Sequence, residues 1–488
     1  MIGLSTAAEV RVAEAPLLDA LPDGALMQRA ATGLATVCLR LLGSSYGRRV
    51  ALLVGTGNNG GDALFAGAQL AGRGARVTAV LLDTERVHAA GLAALRRAGG
   101  RVLPAGADDV PSVVGRADLV LDGMLGIGGS GGLRPAAAAL ARFAADGAGV
   151  TVAVDVPSGV DADTGAVDGS AFAAMHTVTF GAVKPGLVVG DGRGHAGQVH
   201  LVDIGLQVSS ANAFLLTDAD VAARLEPPSA GDDKYSQGVV GIVAGSATYP
   251  GAGVLCTGAA LRTRPGLVRY AGTAADGVRA AWPEAIVTAG RPADAGRVQA
   301  WVVGPGMGTD DAARSVLAEV LATDLPVIAD ADALTMLARD QELVSGRAAP
   351  TLLTPHDREF ERFGDPVGTD RIGAARRLAA RLGCRVLLKG DATVVAGPDG
   401  RAFVNTTGTP WLATAGTGDV LSGIAGALLA TGLDATEAGA VAAHLHGRTG
   451  QLAAERGPLL AGDLVRLLPD AVGRVRGLGT PGLGDWGA

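Results

Sequence analysis

Short β-branched apolar runs alternate with Ala- and Leu-rich stretches along most of this chain, and this alternation restricts it to the α/β class. Strands are predicted at Val50–Val54, Val77–Leu82, Leu119–Leu121, Thr151–Val154, Val239–Val243, Ala300–Val303, Val327–Ala329, Thr351–Leu353 and Val386–Leu388. Helices are predicted at Leu64–Ala71, Pro135–Ala145, Val254–Arg262, Ala312–Leu321 and Gly373–Arg381. Strands that alternate with helices in this way favour parallel sheets covered by helices on their faces.

The length of the chain and one break in the pattern indicate two domains. A single hydrophobic core does not grow to 488 residues. Between Leu206 and Gln237, turn-forming residues interrupt the alternation around a short helix near Asp218–Leu225. We predict a first domain over residues 1–205, a linker over 206–229, a second domain over 230–476 and a flexible tail over 477–488. Since no short repeat relates the halves, we expect two different α/β domains.

Composition excludes several classes of partner. The net charge of −7 argues against a nucleic-acid partner. The three cysteines, Cys38, Cys256 and Cys384, are far apart, which fits a reducing cytoplasm without disulfides. Residues Met1–Ala20 lack the pattern of a signal peptide, and the longest apolar run, Val420–Ala430, is too short to span a bilayer. We expect a cytoplasmic homo-oligomer that acts on small molecules, with no nucleic-acid or membrane partner.

The densest motif of the first half is GTGNNGGD, Gly55–Asp62, directly after the strand Val50–Val54. A glycine-rich turn between a strand and a helix lets phosphates approach backbone amides. GTGNNG also matches the GxGxxG pattern of a hydride-carrying dinucleotide site, and that match alone is weak. Asn58, Asn59 and Asp62 add short oxygen-bearing side chains, which indicate contacts to a polar ligand or a cation.

Two further polar loops follow predicted strands in the same half. They begin at Asp122 and Asp155, after Leu119–Leu121 and Thr151–Val154. Because ligands of open α/β sheets bind beyond the carboxyl ends of the strands, the three loops are expected to converge on one site. Taken singly, each aspartate could instead be a helix cap or a turn residue.

Together, NNGGD, DGMLGIGGSGGLR, DVPSGVDADTG and TFGAVKPGL resemble the NAD(P)H-hydrate epimerase family over roughly residues 1–205. The resemblance implies a Rossmann-like three-layer sandwich that binds potassium beside the hydrated nicotinamide. The implied potassium ligands are Asn59, Asp122 and Ser158. The implied substrate contacts are Asn58, Asn59, Gly60, Gly61, Asp62, Gly126, Ile127, Gly128, Gly129, Ser130, Gly131, Gly132 and Asp155.

The chemistry of epimerisation requires a proton carrier. Hydrated NADH carries a hydroxyl beside the ring nitrogen; its loss gives an iminium ion, and water then adds to the other face. Asp155 is the predicted catalytic residue, moving the proton and stabilising the cation. Lys184 could help to place the substrate or be an ordinary surface lysine. Ala63 stands where the family usually has glycine, and a positive φ there would strain the loop.

The strongest motif of the second half is ATAGTGD, Ala413–Asp419, before an apolar helix predicted at Val420–Thr431. Amides at a helix N-terminus, left accessible by glycines, form an anion hole. Asp419 could take a proton from a substrate hydroxyl while those amides stabilise a phosphoryl group, or it could be a first-turn residue that suits the helix dipole.

The GTGD motif resembles the ribokinase-like superfamily. KYSQGVVGIVAGSATYPGA, VVGPGMG, ADADAL, LLTPHDREF, LLKGDATVV and NTTGTPWLATAGTGDVLSGIAGALLATG together resemble the ADP-dependent NAD(P)H-hydrate dehydratase family over roughly residues 230–470. The implied substrate contacts are Ala252, Gly308, His356 and Asp419, with Asp419 as the base. The implied nucleotide contacts are Lys389, Gly390, Asp391, Ala392, Thr393, Gly416, Thr417 and Gly418. The resemblance also implies a ribokinase-like three-layer sandwich, magnesium, and ADP rather than ATP as the co-substrate.

Four features of this half allow more than one interpretation. His356 could cap a helix or contact substrate, and we favour the contact. Asp330 and Asp332 could bear on metal or substrate, or be turn residues. His444 and His446 lie two residues apart, the wrong spacing for one helical face, so no metal is assigned to them. The segment Arg262–Gly266 departs from the family, which usually has an Ala/Gly-rich stretch there.

The two resemblances predict an enzyme that epimerises the R and S forms of hydrated NAD(P)H and dehydrates the S form. The dehydration would consume ADP and give AMP and phosphate. One alternative is a small-molecule kinase preceded by a non-catalytic sensor, and another is a non-catalytic nucleotide-binding module. The set NNGGD, Asp122 and DVPSG argues against the first alternative, because a sensor does not need cation-binding geometry. The presence of Asp155 and Asp419 argues against the second.

Overall fold

The computed structural model describes residues 1–129, 131–208, 211–264 and 266–477. It divides the chain into two compact units, one of residues 3–211 and one that starts at Asn212 and also includes Met1 and Ile2. The predicted substrate contact Ser130, the predicted flexible tail beyond Gly477, and Pro265 of the divergent Arg262–Gly266 segment lie outside the described residues.

The first unit is built on a parallel sheet. After a short first strand, β1 (Ile2–Leu4), its sheet strands are β2 (Arg49–Val54), β3 (Arg76–Leu81), β4 (Arg101–Pro104), β5 (Leu119–Gly123), β6 (Val150–Val154), β7 (His176–Phe180) and β8 (Gln198–Val202). Its helices are α1 (Ala7–Ala20), α2 (Ala25–Leu42), α3 (Asn58–Gly72), α4 (Ala89–Arg97), α5 (Val110–Gly115), α6 (Pro135–Ala145) and α7 (Gly190–Ala196). The strand order β4-β3-β2-β5-β6-β7-β8 reverses between β2 and β5. Such a reversal opens a crevice beyond the carboxyl ends of the two strands.

Both faces of this sheet are covered, because successive side chains of a strand point to opposite sides. Leu52 and Leu121 belong to a core that also contains buried residues of α2, α3 and α4. Leu53 and Val120 belong to a second core, shared with α5 and α6. The first unit is therefore a sandwich of three layers, as the sequence predicts.

The second unit has a longer sheet. Its strands are β9 (Ala213–Leu215), β10 (Val239–Val243), β11 (Leu267–Ala271), β12 (Ile286–Thr288), β13 (Ala300–Val303), β14 (Val327–Ala329), β15 (Thr351–Leu353), β16 (Arg385–Leu388), β17 (Thr393–Ala396) and β18 (Ala402–Asn405). Its helices are α8 (Asp218–Ala222), α9 (Pro250–Thr263), α10 (Ala275–Ala281), α11 (Asp311–Leu321), α12 (Asp332–Arg339), α13 (Asp357–Glu361), α14 (Arg371–Leu382), α15 (Thr417–Ala430), α16 (Ala435–Ala454) and α17 (Ala461–Val475). Within this unit the order is β9-β18-β17-β16-β15-β14-β13-β10-β11-β12.

One part of this sheet differs from the parallel arrangement that the sequence predicts. The strands β16, β17 and β18 pair antiparallel, whereas the pairs from β16 to β12 are parallel. A short connection such as the one from Lys389 to Ala392 can join only antiparallel neighbours, because a parallel pair needs a long crossover.

Helix α15 lies at the centre of the second unit and is buried on nearly every side. It packs with α9, α16 and α17 in one core against the sheet. Helix α14 also contacts the sheet, at β16 and β17, but its buried residues are not part of the core around α15. Two glycines allow the close packing of α15, since a Cβ on Gly423 would lie 2.3 Å from Cys256 O and one on Gly426 would lie 2.1 Å from Val302 Cγ2. The predicted α/β class is confirmed in both units.

The predicted strands agree with the structure to within two residues, but several helices begin earlier than predicted, among them α9, which starts at Pro250 instead of Val254, and the two helices of the sites. Helix α3 starts at Asn58 instead of Leu64, and α15 starts at Thr417 instead of Val420. Their first turns consist of polar and glycine residues, which carry no hydrophobic periodicity. The segment interpreted as a linker contains β9 and α8, two regular elements of the second unit.

The departure at Ala63 causes no backbone strain. Ala63 lies inside α3, is fully buried, and is not among the residues with positive φ. Its Cβ faces Gly123, where an added Cβ would lie only 2.6 Å away. Within the described ranges, no helix is both long and apolar enough to cross a membrane.

Candidate functional sites

The three predicted potassium ligands of the first unit gather around the loop that follows β5. Asn59 Nδ2 donates a hydrogen bond to the carbonyl of Leu125 at 2.7 Å. The amide of Leu125 donates to Ser158 Oγ at 2.8 Å, and that hydroxyl donates to Asp122 Oδ1 at 2.7 Å. The loops after β2, β5 and β6 therefore converge on one place, as their position beyond the strand ends predicts.

Asp122 is a fully buried carboxyl group at the end of β5. Its two oxygens accept hydrogen bonds from the Ser158 amide at 2.8 Å and the Met124 amide at 3.2 Å, as well as from the Ser158 hydroxyl. Burial raises the pKa of Asp122 to about 6 despite these donors. No Lys or Arg among the described residues pairs with it. Since buried charges are normally paired or bound to cations, this oxygen-rich site fits a hard cation such as potassium.

Asp155 and Lys184 form a buried ion pair in the same unit. Lys184 Nζ lies 2.5 Å from Asp155 Oδ1, and the side chain of Lys184 is only 1% exposed. The ammonium also donates to Thr179 Oγ1 at 3.0 Å and to the Phe180 carbonyl at 3.1 Å. The interpretation of Lys184 as an ordinary surface lysine is therefore wrong. Its position depends on contacts with the end of β7.

The backbone of Asp155 is held in an unusual conformation. Its φ is 66°, a value that residues other than glycine seldom adopt. Its amide donates to the Val178 carbonyl at 2.8 Å, and its carboxylate accepts hydrogen bonds from Thr179 Oγ1 and Lys184 Nζ. These contacts fix the strained conformation, and the carboxylate caps no helix. Strain of this kind clusters at functional sites.

Two more carboxyl groups share this site. Asp62 is buried in the first turns of α3, and its Oδ1 has no hydrogen-bond partner among the described residues. Burial and the nearby carboxylates of Asp155 and Glu14 raise the pKa of Asp62 well above its usual value. Burial, and then Asp155, also raise the pKa of Glu14 on α1. Sequence reasoning missed Glu14. Its spacing of four residues from the apolar Val10 places both on one face of α1, but the sequence does not show that this face is covered.

The predicted phosphate-binding segments lie at the same edge. Asn58–Asp62 form the start of α3, whose N-cap Gly57 offers no side chain, so the first amides remain available to an anion. Two glycines are needed here: a Cβ on Gly60 would lie 2.4 Å from the Gly55 carbonyl, and one on Gly126 would lie 3.1 Å from Asn59 Oδ1. The remaining described members of the predicted set, Ile127, Gly128, Gly129, Gly131 and Gly132, follow in the loop between β5 and α6.

The site of the second unit forms at the N-terminus of α15. Gly416 caps the helix with φ of 87° and no side-chain hydrogen bond, which leaves amides of the first turn accessible. Gly418 faces both charges of the site, because a Cβ added there would lie 3.7 Å from Lys389 Nζ and 3.8 Å from Asp330 Oδ2. This combination of amides, a glycine surface and an ammonium suits a phosphoryl group.

Lys389 is held in place by carboxylates. Its Nζ lies 2.9 Å from Asp330 Oδ1 and 3.8 Å from Glu359 Oε2. Asp330 is buried, and its other oxygen accepts a hydrogen bond from Ser422 Oγ on α15 at 2.8 Å. Burial alone would lower the pKa of Lys389, but Asp330 and Glu359 outweigh it and raise that pKa. Asp330 is thus the ion-pair partner of Lys389, so it is more than a turn residue.

Asp419 is suited to act as a base near neutral pH. Burial raises its pKa to about 7, and the carboxylates of Asp330 and Asp332 add to this shift while Lys389 opposes it. A general base works best when its pKa is close to the working pH. This pKa supports a role as a base, which stays a prediction.

The other predicted substrate contacts lie on neighbouring loops. The Gly308 amide donates to Asp332 Oδ2 at 2.9 Å. His356 caps α13, since its Nδ1 accepts from the Glu359 amide at 3.3 Å, and its side chain is 50% exposed. The capping interpretation is therefore right, and a substrate contact through the exposed ring edge stays a prediction. Ala252 lies in the first turn of α9, where a Cβ on Gly306 would lie 2.9 Å from the Ala252 Cβ.

The predicted nucleotide loop, Lys389–Thr393, joins β16 to β17. Arg371 anchors it by donating to the Lys389 carbonyl at 2.9 Å while it pairs with Asp357. A Cβ on Gly390 would lie 2.5 Å from that guanidinium. Asp391 and Ala392 lie between these two residues and the start of β17 at Thr393. The loop thus holds Lys389 close to Gly418 and the N-terminus of α15.

Sequence reasoning assigned no role to the two histidines of α16. His444 Nε2 lies 2.6 Å from Asp218 Oδ1, a hydrogen bond that connects α16 to the start of α8. His446 is buried next to the first turn of α15, its Nε2 has no hydrogen-bond partner among the described residues, and burial lowers its pKa to about 4. His446 therefore lies there as a neutral side chain. That neither histidine binds a metal stays a prediction.

Comparison with known proteins matches each half to a family. Residues 23–186 match the family described as YjeF-related protein N-terminus, and residues 240–470 match the family described as NAD(P)H-hydrate dehydratase. A solved structure of ADP/ATP-dependent NAD(P)H-hydrate dehydratase from Bacillus subtilis, co-crystallised with ATP and Mg²⁺, is 30% identical, with a TM-score of 0.49. It covers 55% of this chain and 100% of that chain.

Relatives that contain both halves are more similar. The bifunctional NAD(P)H-hydrate repair enzyme Nnr of Mycobacterium tuberculosis H37Rv is 55% identical over 436 residues, which cover 88% of this chain and 90% of the relative. The enzyme of the same name from Mycobacterium leprae is 54% identical over 458 residues, covering 92% and 94%. Identity at this level over most of both chains shows that the chain belongs to the family of bifunctional NAD(P)H-hydrate repair enzymes.

Proposed function

We propose that the chain repairs hydrated NADH and NADPH in two reactions, one in each unit. Residues 1–205 interconvert the R and S epimers, and residues 230–476 dehydrate the S epimer at the expense of ADP. The observation that carries the proposal is the position of Asp419, a half-buried base beside Lys389 at a helix N-terminus that no side chain caps. Such a site can activate a hydroxyl and stabilise the phosphoryl group that it receives.

In the first reaction, the hydroxyl beside the ring nitrogen leaves as water and returns on the other face. The neutral carboxyl of Asp62 donates the proton that the leaving hydroxyl needs. Asp155, held by Lys184, stabilises the iminium ion and accepts a proton when water adds again, and the return of that proton to Asp62 restores both groups for the next turnover. Two carboxyl groups in one site, one neutral and one paired with an ammonium, are the arrangement that such acid–base chemistry needs.

Potassium would be held by Asn59, Asp122 and Ser158, the residues that surround the Leu125 backbone. When bound, it neutralises the Asp122 carboxylate and adds positive charge that orients an oxygen-bearing ligand. Asn58, Gly60 and the glycines of the loop after β5 provide amides for the phosphates of the dinucleotide.

In the second reaction, the ring hydroxyl of the S epimer attacks the terminal phosphorus of ADP. Asp419 takes the hydroxyl proton, the bond between the two phosphates of ADP breaks, and AMP leaves. The ring nitrogen then expels the phosphate. The ring carbon next to the one that carried the phosphate loses a proton, which restores the double bond. Lys389, Gly418 and the amides of α15 hold the phosphoryl group throughout. Magnesium would neutralise phosphate charge on the nucleotide.

The direct test uses purified protein with each epimer of hydrated NADH, ADP and magnesium, followed by the near-ultraviolet absorbance of NADH. Full recovery from both epimers is expected. Asp419→Ala should abolish recovery but leave epimerisation intact, and Asp155→Ala should leave recovery from the S epimer alone. Phosphate incorporated into another alcohol, without recovery, would instead support a small-molecule kinase. A parallel assay with ATP tests the preference for ADP.

Three buried free cysteines, Cys38, Cys256 and Cys384, support a cytoplasmic site of action, where thiols stay reduced. The chemistry of both sites calls only for small molecules. Association into a homo-oligomer stays a prediction, and gel filtration with light scattering tests it.

A further inference from the structure

A cavity of about 640 Å³ lies between α12 and α13 in the second unit. That volume falls within the range of roughly 300–1,000 Å³ usual for ligand pockets. Its lining includes Thr309, Asp332, Thr335, Arg339, Glu359 and Arg362. The lining residues of α12 are spaced by three and four positions, so they share one face of that helix. The two helices thus present polar faces to a common space.

The carboxylates that line the cavity have hydrogen-bond partners, whereas its two arginines have fewer. At one end, Asp332 accepts from the Gly308 amide, and Glu359 accepts from the His356 amide at 2.9 Å and lies near Lys389. At the other end, the guanidinium of Arg362 donates only to Thr335 Oγ1, at 2.7 Å. Neither Arg339 nor Arg362 forms an ion pair with any residue in the described ranges. Both arginines are exposed residues that line the same cavity. Two guanidinium groups that lack an ion pair among the described residues favour an anion there, and their planar donors suit phosphate.

The carboxylate end of the cavity adjoins the reaction site. Asp332 is close enough to Asp419 to raise its pKa. Gly308 and His356, both predicted to contact the hydrated dinucleotide, donate their amides to the two lining carboxylates. Arg339 lies seven residues beyond Asp332 on α12, a distance of about 10 Å along the helix. A molecule whose ring reaches Asp419 could therefore extend along α12 to the arginines.

We propose that Arg339 and Arg362 bind a phosphate group of the hydrated dinucleotide while its ring lies at Asp419. This inference rests on the proposed dehydratase function. The phosphate belongs either to the pyrophosphate, which both dinucleotides carry, or to the 2′-phosphate, which only the NADPH form carries. In the second case, these arginines determine the preference between the two substrates.

The test compares Arg339→Ala, Arg362→Ala and the double variant with the unchanged chain in steady-state dehydration. The S epimers of hydrated NADH and hydrated NADPH are each varied at saturating ADP, and ADP is varied in turn. Removing a charge-assisted contact should raise KM for the dinucleotide about 10-fold to 100-fold. The value of kcat should stay within about twofold, because no group at the reacting ring changes. The KM for ADP should not move.

A rise in KM for both dinucleotides assigns the arginines to the pyrophosphate, and a rise for hydrated NADPH alone assigns them to the 2′-phosphate. Unchanged KM values, or a rise for ADP alone, overturn the proposal. Arg358→Ala is the matched control, because this exposed arginine lies on α13 outside the cavity lining. Arg339→Ala removes no ion pair seen in the described residues, so its folding is expected to be unaffected. If the unchanged chain dehydrates neither dinucleotide, the proposed function fails separately, and calorimetric titration of the same variants with hydrated NADPH decides the role of the cavity.

Discussion

Lys184 Nζ and Asp155 Oδ1 lie 2.5 Å apart, and the lysine has almost no contact with solvent. An ammonium in such a place has no means of solvation other than its partners, Asp155, Thr179 Oγ1 and the Phe180 carbonyl. Desolvation makes each charge of this pair depend on the other. The ion pair therefore joins the stability of the first unit to its proposed chemistry.

Lys184→Met should destabilise the first unit by about 3–5 kcal/mol, because it leaves the Asp155 carboxylate buried without its counter-charge. The double variant Asp155→Asn/Lys184→Met should recover most of this loss, since no charge then remains. Both variants should epimerise about 10²- to 10⁴-fold more slowly. Urea unfolding and an epimerisation assay on the R epimer measure the two effects.

Lys234→Met is the control for this pair, because Lys234 is exposed. It should change neither stability nor rate. A double variant as unstable as Lys184→Met would show that the loss comes from packing and not from the unpaired carboxylate.

Asp62→Asn should slow epimerisation by a similar factor without a loss of stability. The carboxyl is buried with one oxygen unpartnered among the described residues, and burial, Asp155 and Glu14 raise its pKa, which favours the neutral form. An amide of the same size preserves this neutral state but cannot give up a proton as an acid. Melting temperature and epimerisation rate are measured side by side. Unchanged epimerisation in Asp62→Asn would remove Asp62 from the proposed chemistry.

Potassium should stabilise the first unit and speed epimerisation. The reason is the Asp122 carboxylate, which is fully buried and whose pKa burial raises to about 6. A cation that binds only the folded state raises the melting temperature by mass action. Titration with potassium chloride, compared with choline chloride at equal ionic strength, measures the rise. Asp122→Asn should lose this response, and an equal response in the variant would exclude Asp122 as a ligand.

The elements that position the two sites could be predicted from sequence because their signals are local. Buried parallel strands are continuous β-branched runs, so β10, β13, β14 and β15 match their predicted bounds. The polar loops that follow such strands meet at one sheet edge, which is a consequence of parallel pairing. The convergence of Asn59, Asp122 and Ser158 could thus be anticipated.

Other features depend on tertiary contacts that no local pattern encodes. The burial of Lys184 follows from how the segment after β7 folds back on Asp155, a partner 29 residues away. His446 lies next to the first turn of α15 but belongs to α16, the following helix. Glu14 lies near the carboxylates of the first site but belongs to α1. A charged residue in a helix looks the same in sequence whether its face is covered or exposed. Their roles required the packed structure.

The rate of dehydration should depend on the ionisation of Asp419. Burial, with Asp330 and Asp332, raises its pKa to about 7, and a base must be ionised to act. In the free enzyme, kcat/KM should therefore fall about tenfold per pH unit below pH 7 and level off above it. Asp332→Asn removes one of the neighbouring carboxylates, so the midpoint should move to lower pH. The phosphates of ADP also titrate in this range, and using the same ADP concentration for both proteins cancels their effect. An unmoved midpoint would contradict the assignment.

Asp419→Asn should make the folded protein more stable, and the gain should depend on pH. The pKa of Asp419 is about 7 in the folded state, against about 3.9 for an unfolded aspartate. Because the folded state holds the proton more tightly, ionisation costs stability as pH rises from about 4 to 7. Asparagine has no such cost, so the gain should be absent near pH 3 and reach up to about 4 kcal/mol at pH 8.

Urea unfolding at several pH values measures this gain. The matched control is Asp311→Asn, an exposed aspartate in the first turn of α11, which should change stability by less than about 0.5 kcal/mol at any pH. A gain of equal size at pH 3 and pH 8 would attribute the effect to packing and not to ionisation. The expected pattern means that the ionised carboxylate of Asp419 at the start of α15 lowers the stability of the second unit. A purely structural first-turn aspartate would do the opposite, since it stabilises its helix when ionised.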